Sequence, residues 1–208
     1  MRVDRWLPRF IPRNEIAGIC ERFREKHCEG MRFPLDIELV VEKQLNLHII
    51  PISGIRSLIG IDAFLRSDFT GIVVDNQEYM DDRYENRLRF SIAHEVGHFT
   101  LHRTEYRQLG IRTAEDYIET IERMSEKAYT AIEWQANQFA GNVLVPRDEL
   151  DVALQEAKRQ LERESIASKL RDDPSQLLAI LTPRVARRFG VSERVIERRV
   201  GDEQLWEV

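Results

Sequence analysis

The 208-residue chain predicts an α+β fold, mostly helical, with a small β-sheet packed on one central helix and a helical hairpin at the C-terminal end. Three observations carry this expectation. Apolar residues recur at helical spacing, as in Ile16, Ile19, Cys20 and Phe23, and again in Leu150, Ala153, Leu154, Ala157 and Leu161. Only short runs are rich in β-formers, chiefly 47–52 and 71–75. The stretch Ile92-Ala93-His94-Glu95-Val96-Gly97-His98 sets two histidines four residues apart, one helical turn on a single face.

In chain order, Pro12 to His27 reads as a first helix with proline at its start. Pro34 and Asp36 open a second, through Leu39, Val40 and Leu45. Leu47 to Ile52 and Gly71 to Asp75 read as strands, and Ile59 to Arg66 as a further one, together an antiparallel or mixed sheet. Asp81-Asp82 is an acidic N-terminal signal for the histidine helix, expected from about Tyr84 to Leu101. Gly97 inside it costs about 1 kcal/mol of helix propensity relative to alanine, which a close neighbour such as the sheet or a bound peptide would explain. Arg103 to Thr113 reads as a linker, Ala114 to Asn142 as helical, and Arg147 to Arg163, begun by Pro146, as a charged amphipathic helix. Asp172-Asp173-Pro174 interrupts the chain.

Composition excludes several classes. With 42% hydrophobic and 32% charged residues the chain is ordinary for a water-soluble globular protein, long enough to bury a core. A net charge of −5 argues against a general nucleic-acid binder. No run approaches the roughly 20 apolar residues of a membrane span, and Met1 to Pro8 lacks the apolar region of a signal peptide. Cys20 and Cys28, too few for a disulfide framework, read as reduced thiols in a cytoplasmic protein.

The H-E-x-x-H pattern is the minimum apparatus for metal-assisted hydrolysis. His94 and His98 reach one Zn²⁺, whose water falls to a pKa of about 7, while Glu95 faces that water as general base. A third protein ligand is needed. Glu133-Trp134-Gln135-Ala136-Asn137-Gln138-Phe139-Ala140 reads as a second helix in which small Ala136 and Ala140 permit close approach. Glu133 then supplies the third ligand, and Asn137 hydrogen-bonds a ligand from behind. His102 is offset by about 80° around the helix from His94 and reads as a buried histidine behind the metal ligands. His27 and His48 have no partners at metal spacing. Whether zinc, Mn²⁺ or Fe²⁺ occupies such a site in the cell stays open, since affinity alone does not select the metal.

Near the C-terminus, Thr182 to Arg199 has the shape of a helix-turn-helix. Thr182 and Pro183 are expected to cap its first helix, Gly190 to turn, and Ser192 to cap the second. Six arginines face two glutamates between Arg184 and Arg199. Two readings compete, a DNA-reading helix and a hairpin packed on its own domain with solvated arginines; the second is favoured.

Arg89 to His102, Glu133 to Ala140 and Val143-Leu144-Val145-Pro146, with Phe189-Gly190-Val191-Ser192 downstream, resemble the ImmA/IrrE metallo-endopeptidase family. The resemblance is close over about 71–146 and looser in the last thirty residues, and this chain departs from it in a longer segment between His102 and Glu133. It implies a gluzincin-like zinc peptidase with His94, His98 and Glu133 as ligands and Glu95 as general base. It divides the chain into a peptidase domain over 1–163 and a helix-turn-helix-like segment over 164–208. It implies a zincin-type active-site helix, and as partner a protein substrate, a helix-turn-helix repressor of stress or mobile-element genes; direct DNA binding is not favoured. The competing class is a non-catalytic, zinc-containing DNA- or partner-binding regulator, antitoxin-like. A substrate strand is expected to pair with the edge of the 71–75 strand.

Overall fold

A computed structural model describes residues 8–163 and 174–205. The chain forms two compact units, Met1–Gly30 with Asp36–Val143, and Met31–Leu35 with Leu144–Val208. The fold is α+β and mostly helical, with one three-stranded sheet among the described residues. Residues 1–7, at the extreme N-terminus, and the expected break at Asp172-Asp173 lie outside the described residues.

In the first unit, α1 (Arg13–His27) follows Pro12 at its N-cap and buries Ile16, Cys20 and Phe23, one face of a 3.6-residue period. That face meets α8 (Glu126–Leu144): Phe23 lies edge-on to Phe139 at 5.2 Å, and Arg24 donates to the Val143 carbonyl at 2.7 Å. A cation on a last-turn carbonyl satisfies an orphan acceptor and complements the helix dipole. Asp36 caps α2 (Ile37–Leu39) by accepting from the Leu39 amide, and a π-helical turn, Val40–Gln44, continues it.

The strands β1 (His48–Ile52), β2 (Ala63–Leu65) and β3 (Gly71–Asp75) are ordered β1-β3-β2. β1 runs parallel to β3, with His48 opposite Gly71, and β2 runs antiparallel, with Ala63 opposite Val74. The sheet is therefore mixed. All five β3 residues are buried, as the continuous apolar run of a central strand requires. Gly71 is fixed by space: a Cβ there would sit 2.4 Å from the His48 carbonyl oxygen. The edge of 71–75 expected to receive a substrate is not free, because β1 and β2 occupy both sides of β3. The expected strand from Ile59 shortens to Ala63–Leu65, because Ile55–Ile59 is a helix, α3, closed by Gly60 at φ 73°.

After α4 (Asn76–Tyr79), Asp81 caps a 3₁₀ turn (Asp82–Tyr84) that leads into α5 (Glu85–Leu101). The close neighbour of Gly97 is α8: a Cβ there would lie 3.1 Å from both the Cα and the carbonyl oxygen of Ala136. α5 and α8 thus pack almost backbone to backbone, as the small residues predict. The expected linker contains one turn of helix, α6 (Arg103–Tyr106), and is pinned by reciprocal bonds between Ser67 and Ile111. The expected single helix from Ala114 is two. Thr113 and Asp116 form a capping box for α7 (Ala114–Arg123), Met124 is extended, and the Ser125 hydroxyl accepts from the Ala128 amide as α8 begins.

In the second unit, α9 (Arg147–Arg163) buries Leu150, Ala153, Leu154, Ala157 and Leu161, the stripe read from the sequence. α10 (Pro174–Phe189) and α11 (Glu193–Asp202) are joined through Gly190 at φ 60°. Thr182 and Pro183 do not start a helix but lie inside α10, where the Thr182 hydroxyl donates to the Leu178 carbonyl. The described part of the helix already runs from residue 174, so its start is not at Thr182-Pro183. Ser192 holds the N-cap position of α11, yet its side chain makes no capping bond. Arg199 is buried, donating to the Val145 carbonyl and pairing with Glu203, and Arg188 pairs with Glu149 and Glu156.

Candidate metal centre

α5 and α8 bring four side chains together. His94 Nε2 and His98 Nε2 are 3.0 Å apart, and the Glu133 carboxylate spans them, Oε2 at 3.2 Å from His94 and Oε1 at 3.3 Å from His98. Ligands held at about 2.1 Å around a tetrahedral Zn²⁺ are separated by about 3.4 Å. The cluster is therefore spaced for one ion of that size, and its donor set of two imidazoles and a carboxylate suits zinc. A Glu95 oxygen lies within 4.8 Å of both imidazoles. Its Oε2 accepts from the Leu65 amide of β2 at 2.7 Å, so β2 ties the carboxylate down while the histidines face Glu133. Glu133 could hold an ion together with the histidines, since it meets both nitrogens; Glu95, which also lies close enough to them to share an ion, has one oxygen engaged by backbone.

The electrostatics favour positive charge between these groups. Burial alone lowers a histidine, but Glu133, and then Glu95 and Asn137, hold His94 up at about 9. Burial works upward on Glu133, yet His94 and His98 hold it far below the ordinary carboxylate range. Glu95, buried, is raised by that burial against the downward pull of His98 and His94, so its affinity for a proton exceeds that of a solvated glutamate.

Each histidine is held from behind. His94 Nδ1 lies 3.3 Å from Asn137 Oδ1, and His98 Nδ1 lies 3.1 Å from His102 Nδ1. His102, 2% exposed, is driven down to about 3 by burial and by the neighbouring His98. His48 is exposed on β1 and His27 rests against Phe23; neither lines the cleft. Cys20 and Cys28 are buried and not joined in a disulfide, and the Cys20 thiol donates to the Phe139 carbonyl.

The cluster opens into a cleft of about 230 Å³. Tyr106, Tyr117 and Tyr129, which carry no sequence signal, line it beside the histidines. Burial raises all three phenols, with Glu95 adding to it at Tyr106 and Glu133 at Tyr117 and Tyr129, so they keep their protons. Tyr106 also lies against His98, ring centroids 5.1 Å apart, and the Tyr117 and Tyr129 phenols are close enough to act on each other. Ala63 of β2 borders the same cleft. Asp62 and Arg66 point their backbone groups at β3, accepting from Asp75 and donating to Gly71. By alternation Ala63 and Leu65 turn theirs away from β3, and the Leu65 amide is already held by Glu95.

Residues 80–200 match the IrrE N-terminal-like domain of the peptidase M78 family. No curated protein matches the chain significantly. Among solved structures, a Mycobacterium tuberculosis transcriptional regulator shares the fold at a TM-score of 0.51 and 17% identity, over 92% of this chain and 47% of that one. The chain thus spans about half the length of this structural relative.

Proposed function

The chain belongs to the ImmA/IrrE family, peptidase M78, and from that premise we propose that it is a zinc-dependent endopeptidase acting on a cellular protein. The observation that carries the reading is the convergence of His94, His98 and Glu133 within 3.3 Å, with Glu95 beside them. His94, His98 and Glu133 hold the ion. When bound, it supplies a Lewis acid that acidifies a water and polarises the scissile carbonyl. Glu95 takes the proton of the attacking water and delivers it to the leaving amine. Anchoring by the Leu65 amide fixes the angle of that carboxylate, and burial keeps it basic. The peptide adds as a strand to the open side of β2 at Ala63, since β3 is enclosed. A phenol of Tyr106, Tyr117 or Tyr129 donates to the developing oxyanion.

The substrate we favour is a helix-turn-helix repressor in stress or mobile-element regulation, in the cytoplasm, on the strength of the family resemblance. No helix among the described residues is long and apolar enough to cross a membrane. Direct DNA binding is less favoured, because Arg188 and Arg199 are already engaged by carboxylates within their own unit. The test is zinc content of wild type, His94→Ala and Glu133→Ala, followed by capture of a cell protein on the Glu95→Ala variant and its cleavage by wild type. About one zinc per chain, absent from both ligand variants, with a captured protein cut by wild type alone, is the expected result. A zinc-free wild type after supplementation would move the reading to the non-catalytic regulator.

A further inference from the structure

Behind His98, away from the cleft, three buried groups follow one another. His98 Nδ1 meets His102 Nδ1 at 3.1 Å. His102 Nε2 and Gln135 Oε1 are both cut off from solvent and neither has a hydrogen-bond partner at standard length, and Gln135 is a polar side chain close enough to act on His102. Gln135, 0% exposed, directs its amide nitrogen to the Arg9 carbonyl at 3.3 Å. The segment bearing that carbonyl is fixed on α8, since Phe10 stacks on Trp134 at 5.8 Å and 14° and Ile11 is buried.

We propose that His102 and Gln135 are positioning residues that set the tautomer of His98, passing a hydrogen-bond direction from the Arg9 carbonyl to the candidate metal centre. The inference rests on the reading of His98 as a zinc ligand. A carbonyl can only accept, so the Arg9 oxygen requires the nitrogen of the Gln135 amide, and the Gln135 oxygen is left facing His102. That oxygen can also only accept, so His102 carries its proton on Nε2. His102 Nδ1 then presents a lone pair to His98, and His98 must donate from Nδ1. The remaining nitrogen of His98, Nε2, is thereby left with a lone pair directed at Glu133 and His94, the form a metal requires.

His94 reaches the same end by a shorter route, through Asn137 Oδ1. The two ligands are thus set by different devices, an amide for His94 and a histidine–amide chain for His98. The relay also gives a reason for an enclosed Gln135 beside the buried Ala128, Ile132, Ala136 and Phe139 of α8, and for a buried histidine two turns along from His94.

The test uses the full chain. Zinc affinity is measured by competition with a chromophoric chelator for wild type, Gln135→Leu, Gln135→Glu and His102→Phe, with thermal unfolding to confirm that each is folded. Long-range ¹⁵N–¹H spectra of the zinc-loaded wild type report which nitrogen of His102 is protonated, a readout that needs no variant to fold. We expect the proton on Nε2, a loss of about 10- to 100-fold in zinc affinity for Gln135→Leu and His102→Phe, and retention in Gln135→Glu, whose carboxylate still accepts. A proton on His102 Nδ1, or folded Gln135→Leu and His102→Phe variants that bind zinc as tightly as wild type, would overturn the relay and leave the peptidase reading standing. A wild type that binds no zinc would overturn both.

Discussion

Gly97 of α5 and Ala136 of α8 approach so closely that a Cβ on Gly97 would lie 3.1 Å from the backbone of Ala136 and 3.2 Å from Phe139 Cβ. That approach lets a carboxylate on one helix span two imidazoles on the other. Gly97→Val should push the helices apart. Overpacking of this kind costs about 1–3 kcal/mol, and no gain in helix propensity from valine offsets it. Urea unfolding should show that destabilisation, and zinc affinity should fall with it because Glu133 retreats from His94 and His98. Unchanged stability and affinity would mean that the interhelical approach does not position the cluster.

Glu95→Gln separates basicity from geometry. The amide oxygen still accepts from the Leu65 amide, so folding and zinc content should match wild type. Turnover should fall by at least about 10²-fold, the usual size of the effect when a general base is removed. Retained cleavage would remove Glu95 from the chemistry.

Much of this arrangement is legible in the sequence, and the reasons differ from those that hide the remainder. The histidine pair, the Glu133 helix and the α9 stripe are written in local periodicity, which a linear reading detects. The order β1-β3-β2 is a non-local pairing, and the apolar run 71–75 says nothing about which neighbours flank it, so β3 reads as an edge when it is the centre. Ser125 is invisible as a cap because the helical composition on both sides is continuous. Tyr106, Tyr117 and Tyr129 come from three separate helices and acquire meaning only when the fold closes them over the cluster. Pro183 misleads because proline marks a helix start in the first turn and is tolerated further in only where neighbouring groups support it.

Acid sensitivity should centre on Asp75. It is 3% exposed, caps α4 by accepting from the amides of Gln77 and Glu78, and also accepts from the Arg56 amide. Burial works upward on its carboxyl, but those backbone donors prevail and hold it below the ordinary aspartate value. The group therefore binds protons more readily unfolded than folded. Its contribution is fully present above the unfolded value near 3.9 and disappears as pH falls through the lower native value. Asp75→Asn keeps one capping oxygen but turns an amide donor toward the Arg56 N–H, which should cost about 1–3 kcal/mol at neutral pH and flatten the acid limb of stability. Parallel stability–pH curves for the two proteins would assign acid unfolding elsewhere.

The C-terminal arginines lead to a prediction of weakness. Of the six between Arg184 and Arg199, Arg188 is held by Glu149 and Glu156, and Arg199 is buried against Val145 and Glu203. Withdrawing two cations from the phosphate-facing set lowers both the affinity and the salt slope of DNA binding, the slope by about 0.9 for each phosphate left without its cation. At physiological salt, a gel shift on duplex DNA should show only weak, sequence-independent retention. A tight, sequence-selective complex would restore the DNA-binding regulator as the leading reading.

On the proposed peptidase reading, the cleft tyrosines are the candidate donors to the oxyanion. Tyr117 and Tyr129 are close enough to act on each other and Tyr106 lies against His98, so three hydroxyls line the cleft beside the cluster. All are raised above the ordinary phenol value by burial and nearby carboxylates, so donation should persist through neutral and mildly alkaline pH. Single phenylalanine variants keep the ring packing and remove only the hydroxyl. Replacing a residue that donates to the transition state should lower kcat by about 10²–10³-fold, with little change in KM, because the oxygen carries its full charge only there. A variant that raises KM at constant kcat instead binds the ground-state peptide. If all three phenylalanine variants turn over as wild type does, the oxyanion is stabilised without a tyrosine, and the cleft tyrosines only close the site against water.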